Sequence, residues 1–487
     1  YKDSLSKEQI EDLVKETKRL KEIQETPSTK EELAKIPVLD IEDIRKEIKP
    51  LSNQETEIDG VKVLWHSYFT NQICYLKLSF DMSYVPIELA PYASLLTEVL
   101  MAVDTEKRSY LELGNEVSIE TGAIAATMDV LPRTKDEWIP LFSVKTKCFY
   151  PKTEKAFALM EEIIFESKLN DKKRLKEIIG QIYTNLKMQL TEAGHKTAAN
   201  RAISYFSSYA KYKEAIQGID MFESVKNWYE NFEESYDQIA EGLETARKMI
   251  FQKQHMIVSY TGNEKEPEFM EKSLGHFVGR LYPDQAKETL VKVTCDQENE
   301  GFATAGGVCY VACAGNFMDR GFQYTGALRV LQMIFSYEYL WIQLRVKGGA
   351  YGCMCSFGSQ GDSMFVTYRD PNLKETYDVY DRAYQFVETF DPDARDMKKY
   401  IIGTISGMDM PMGPDDMGAR SFQAYLMGKT EEEMQKDRDQ VLGCTKEDIQ
   451  ALAPLVKAVV DAGNRCCVGN EDKMQQAKDC FDVIRNV

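Results

Sequence analysis

Two hydrogen-bond donors stand six residues apart in the stretch LRVKGGAYGC, Leu344 to Cys353: the guanidinium of Arg345 and the phenol of Tyr351. Both donate at neutral pH. Between them Gly348, Gly349 and Ala350 are small enough to let a ligand chain approach the backbone. Donors arranged in this way can stabilise developing negative charge, as an oxyanion hole does. The residues alone leave a second reading open, in which Arg345 pairs with a carboxylate and Tyr351 is a core ring with a satisfied hydroxyl. A phosphate loop is excluded by the order of elements. It needs a strand, then glycines, then a helix N-terminus, whereas here a helical segment precedes the glycines and a strand-like run follows.

The rest of the chain offers no complete catalytic centre. Its four histidines, His66, His195, His255 and His276, lie beyond helical reach of one another, so no zinc-binding histidine pair is formed. Glu192-Ala-Gly-His195 has the spacing of some carboxylate metal sites, but a single copy reads as a helix-surface pair. Cys353-Met-Cys355 and Cys466-Cys467 lack the second cysteine pair of a zinc site. Nucleophile-elbow, Walker and Rossmann fingerprints are absent. No metal ligand set is assigned to this chain.

The charge of −18 argues against nucleic acid or an anionic membrane surface as a partner and permits a cationic one. No apolar run reaches the roughly 18 residues of a membrane span. Eleven scattered cysteines in a chain large enough to do without disulfides suggest a reducing compartment. The simplest reading is cytoplasmic, with the mitochondrial matrix or another organelle as the alternative. The opening YKDSLSKEQ has neither initiator Met nor signal-peptide core and reads as a cut inside a longer polypeptide.

The elements that must position Arg345 and Tyr351 recur along the sequence. Residues 1–50 read as a helical hairpin, with capping boxes at Ser6–Gln9 and Thr29–Glu32 around the breaker Thr26-Pro27-Ser28. Residues 51–275 then give strands at VKVLWHSYF and CYLKLSFDM, a helix over Leu89–Met101, a Gly-Ala turn into IETGAIAATMDVL, and a strand around Phe142–Phe149. Long helices follow, over Thr153–Leu169 and Lys172–Glu192 and on to about 253, before a closing strand HMIVSYTG. Residues 276–487 repeat the plan: strands VKVTC and GGVCYVACAG, helix Tyr324–Leu340, the strand-like LRVKGGAYGCMCSF and MFVTYRD, helices over Lys374–Phe390 and Pro392–Met408, and closing CCVGN. The expected fold is α+β: two homologous α/β sandwich domains, each a mixed, largely antiparallel sheet packed by helices, after a helical hairpin linker. Thr121-Gly122-Ala123-Ile124 aligns with Gly348-Gly349-Ala350-Tyr351, with Ile124 in the place of the tyrosine.

LRVKGGAYG resembles the Arg–Tyr segment in the C-terminal half of pitrilysin/insulinase-type zinc metallopeptidases, in the presequence-protease branch. KRLKEIQETPSTKEELAKIPVLDIEDI resembles that branch's connecting hairpin, and the similarity extends over essentially the whole chain. The resemblance implies a half-enzyme that closes a chamber on an N-terminal half of the same polypeptide. That half carries the zinc and its H-x-x-E-H motif, while Arg345 and Tyr351 bind the backbone of unfolded peptide substrates beside the scissile bond. It places Gly348, Gly349 and Ala350 against the substrate. Ala93-Ser94-Leu95-Leu96-Thr97 stands where a zinc motif would fall, with Ala, Leu and Thr in place of the needed ligands, so this chain is expected to be inactive alone. The alternative is a non-catalytic peptide-binding or assembly subunit of the same fold.

Overall fold

The computed structural model describes all residues except 1–4, 27–28, 30, 33–34, 38, 264–267 and 285–289. Two units are distinguished, Tyr1–Arg45 and Lys46–Val487. In the first, the charged helix Lys7–Glu25 starts at a capping box in which Ser6 and Gln9 satisfy each other's backbone amides. The Thr29–Glu32 box forms as well, with the Thr29 N–H donating to Glu32 at 2.8 Å. The remainder of the second hairpin arm lies largely outside the described residues.

Alternating and β-branched runs in the second unit form two six-stranded sheets. The strands of the first are β1 Gln54–Ile58, β2 Val61–Ser67, β3 Ile73–Asp81, β4 Ala123–Pro132, β5 Trp138–Phe149 and β6 Met256–Gly262. Those of the second are β7 Glu300–Thr304, β8 Cys309–Asn316, β9 Gly352–Phe357, β10 Asp362–Tyr368, β11 Asn464–Asn470 and β12 Val483–Asn486. The orders are β1-β2-β6-β3-β5-β4 and β12-β7-β11-β8-β10-β9. Five strands therefore correspond one to one, including the parallel pairs β2–β6 and β7–β11 amid antiparallel neighbours. This is the duplication expected from the sequence.

Each half lends a helix to the other's sheet. Gly194–Ser204 packs Ala198, Ala199 and Ala202 on β8, β10 and β11. Pro414–Met427 packs Phe422 and Leu426 against Leu64, Ile139 and Leu141 of the first sheet. Each such large side chain, fully buried, contributes about 1.5–3 kcal/mol. A polar joint reinforces the first exchange. Glu300 on β7, wholly buried, accepts from Arg201 at 2.5 and 3.1 Å, from Tyr205 at 3.1 Å and from Arg485 at 3.0 Å.

Three local expectations change. VKVTC (291–295) is not a strand; Val291 and Val293 pack beside Tyr212 and Ile216, and the hairpin is built by β7 and β8 instead. Lys374–Phe390 divides into Lys374–Asp381 and Ala383–Glu388. LRVK is helical: Trp341–Lys347 forms a widened π-type turn, and the strand begins only at Gly352.

Candidate functional site

The amphipathic helix Ala327–Tyr337 buries Leu328, Leu331, Ile334 and Phe335. It leads into Trp341–Lys347, where Leu344 is the buried anchor and Arg345 points to the partly exposed side. π-type turns occur disproportionately at functional sites. The chain then leaves the helix through Gly349, whose φ of +81° is the left-handed region that L side chains resist. Gly349 N–H donates to the Arg345 carbonyl at 3.0 Å and Ala350 N–H to that of Leu344 at 2.9 Å. A Cβ at Gly348 would lie 2.6 Å from the Leu344 carbonyl oxygen. Asn372 donates to the Gly348 carbonyl at 2.6 Å, and Ala350 is buried. The two glycines thus serve the chain's own geometry, and the amides of residues 349 and 350 are already engaged.

Tyr351 N–H donates to the Tyr368 carbonyl at 3.1 Å, and Gly352 then pairs with Tyr368 to start β9. This register turns the Tyr351 side chain outward, leaving it 66% exposed. The Arg345 guanidinium carbon lies 4.1 Å from the Trp341 ring centre and 5.5 Å from that of Tyr351. Among the described residues no carboxylate is within ion-pair distance of Arg345. The structural alternative, an ion-paired arginine and a core tyrosine, is therefore not what the chain builds. Both sequence-selected donors are brought together, and both face solvent.

Aromatic rings extend the site. Tyr351 meets Tyr368 edge-on at 5.9 Å, and Tyr368 meets His195 at 4.9 Å and Tyr310 at 5.7 Å. Arg369, exposed, lies over Tyr368 at 5.6 Å. Burial, with Lys196 nearby, pushes the His195 pKa down, which keeps the imidazole neutral at pH 7. Burial pushes the Cys353 thiol up to about 11 against the pull of Arg345, so it is no nucleophile at neutral pH. The sequence reading passed over Trp341 and Tyr368. The i, i+4 spacing of Trp341 and Arg345 could have found the first; the second depends on strand register.

At the helix Ala90–Val99, Ala93, Leu95 and Leu96 are fully buried and the Thr97 hydroxyl donates to the Ser94 carbonyl. These side chains do not fit a metal ion. Among the described residues no group of three His, Cys, Asp or Glu side chains is placed to hold one.

The first sheet refines the internal alignment. Gly122 N–H donates to the Lys147 carbonyl at 2.7 Å and Ala123 pairs with Lys147, as Tyr351 and Gly352 do with Tyr368. Gly122, not Ile124, therefore stands where Tyr351 stands. Matching Gly-Ala to Gly-Ala slipped the register by two, and Ile124 is a buried strand residue. The first half still lacks the tyrosine.

Residues 1–227 match the family model for the segment associated with subfamily C of the M16 peptidases, and residues 299–470 match "PreP C-terminal domain". The chain is 34% identical over its whole length to Protein HypA of Clostridium perfringens, covering 50% of that protein. It is 31% identical over 98% of its length to presequence protease 1, chloroplastic/mitochondrial, of Arabidopsis thaliana, covering 44%. The chain thus spans about half the length of these relatives. Among solved structures, the peptidase M16 inactive domain from Pseudomonas fluorescens superposes with TM-score 0.61 at 14% identity, over 86% of this chain and 98% of that one. A protease from Helicobacter pylori does so with TM-score 0.58 at 13% identity, over 86% and 99%.

Proposed function

This chain belongs to the M16 peptidase family, as the C-terminal half of a presequence-protease-like protein, and on that premise we propose that it is the substrate-gripping wall of a zinc-dependent oligopeptidase. In this reading it closes a chamber on an N-terminal half of the same polypeptide. Tyr351 and Arg345 donate hydrogen bonds to the substrate carbonyl beside the scissile bond, and stabilise the negative charge that develops on its oxygen. The zinc, held by the N-terminal half, supplies an activated water; residues 93–97 of this chain do not fit it. Unfolded peptides are selected by exclusion from the chamber, and the net charge of −18 favours cationic ones.

The observation that carries this reading is the pair itself: two strong donors held side by side, one stacked on tryptophan without a carboxylate partner, the other two-thirds exposed. A donor kept unpaired and preorganised can meet charge that forms only during reaction without first breaking an ion pair. We assign Gly348, Gly349 and Ala350 the shaping of the turn that presents these donors to the peptide. Mixing this chain with a separately produced N-terminal half is the direct test. Peptide hydrolysis should appear on mixing and in neither half alone; full activity of the N-terminal half by itself would refute the proposal.

A further inference from the structure

The two sheets match strand for strand, yet their equivalent faces differ in chemistry. In the second sheet the row Met354–Val366–Ala312–Cys466 runs in register across β9, β10, β8 and β11. It is apolar, and the helix Gly194–Ser204 lies directly on it. The corresponding row of the first sheet is Ala125–Lys145–Lys77–Ser259, and beside it runs Ala123–Lys147–Tyr75–Thr261. Like charges directly opposite each other on neighbouring strands destabilise a sheet, and Lys77 and Lys145 are such a pair.

The covering helix on this side, Pro414–Met427, makes close contact at Gly418, where an added Cβ would lie 1.9 Å from the Thr261 hydroxyl oxygen. Beyond that contact a cavity of about 430 Å³ remains between the lysine row and the start of the helix. Volumes of this order are those of small-ligand sites. Lys77 reaches Asp129 at 3.4 Å. Among the described residues Lys145, Lys147, the Tyr75 hydroxyl and Asp415 have no hydrogen-bond or ion-pair partner. Asp416 is engaged only in capping its own helix at Gly413. Burial and Asp416 push the Asp415 carboxyl up while Lys145, Lys147 and Lys77 pull it down, consistent with the acid facing the lysines across the space.

One wall therefore offers ammonium groups and a phenol, and the facing wall offers carboxylates, with neither neutralising the other by contact. We propose that this cavity is a second peptide site, which takes a short peptide with free termini: its α-carboxylate on Lys145 and Lys147, its α-ammonium on Asp415. The site is separate from the Arg345–Tyr351 segment and does not require that segment to contact substrate.

The test is calorimetric titration of the 487-residue chain with tri-alanine, N-acetyl-tri-alanine and tri-alanine amide. Tri-alanine should bind saturably, and capping either end should weaken it about tenfold or more, the worth of one charge-assisted hydrogen bond. The double variant Lys145→Gln/Lys147→Gln should lose discrimination against the amide, and Asp415→Asn discrimination against the acetyl peptide. All three positions are exposed, and unchanged thermal unfolding would establish that the variants fold. Tyr351→Phe should leave this binding unchanged, so failure here and failure of the proposed function are read separately. Equal affinity for free and capped peptides, absence of saturable binding in the millimolar range, or loss of binding in Tyr351→Phe alone would overturn the assignment.

Discussion

Arg345 stacks its guanidinium on the ring of Trp341, one helical turn earlier, at 4.1 Å. The contact accounts for how a long, flexible cation is held in the open beside Tyr351 without an acidic partner. Guanidinium–indole stacking at exposed sites is worth about 0.5–1 kcal/mol. That is less than the roughly 2 kcal/mol of rotamer freedom an arginine can lose, so the stack biases the side chain without locking it.

Trp341→Leu should therefore release Arg345 and weaken peptide binding to the intact enzyme by about two- to fivefold, the equivalent of 0.5–1 kcal/mol. Trp341→Phe should retain most of the affinity. KM values for one peptide across the three proteins make the comparison. Equal values for Leu and wild type would show that the stack does not position Arg345.

The Arg201–Glu300 joint should matter far more for stability. Glu300 has no exposed surface and receives Arg201, Tyr205 and Arg485 together. Removing one charge from a buried pair costs about 3–5 kcal/mol because its partner is left uncompensated. Glu300→Gln should lower the urea midpoint accordingly, whereas truncation of the surface pair Lys399–Asp396 should change stability by less than about 1 kcal/mol.

His66 sets an acid limit. It is wholly buried, and burial pushes its pKa down against the opposing effect of the Ser52 carbonyl. Nδ1 must donate to that carbonyl at 2.6 Å, so Nε2 accepts from the Ser259 hydroxyl at 3.0 Å. The folded state thus binds a proton less readily than the unfolded chain. The associated stability is present above the unfolded pKa of about 6.5 and is lost as pH falls below it, at up to about 1.4 kcal/mol per unit. Unfolding followed from pH 7.5 to 5 should show this slope, and His66→Gln should flatten it.

Much of the architecture was legible because it rests on short-range pattern. The duplicated strand order, the helix Lys172–Glu192 and both capping boxes follow from periodicity and cap residues. Arg345 and Tyr351 stood out by residue type. Their surroundings did not, because Tyr368 and His195 join the site only through register and helix exchange. The edge strands β1 and β12 escaped notice as short polar runs. LRVK looked extended through its lone valine, yet the turn is fixed by Gly349 and the anchor Leu344, neither of which alternation reveals.

The most direct test of the central claim is kcat for Tyr351→Phe in the enzyme assembled from both halves. The substitution removes one hydroxyl from an exposed ring and leaves the backbone pairing with Tyr368 intact. Loss of one such donor should lower kcat about 10- to 1000-fold, with little change in thermal stability. A kcat within twofold of wild type would contradict the assignment and leave Tyr351 as part of the chamber's surface.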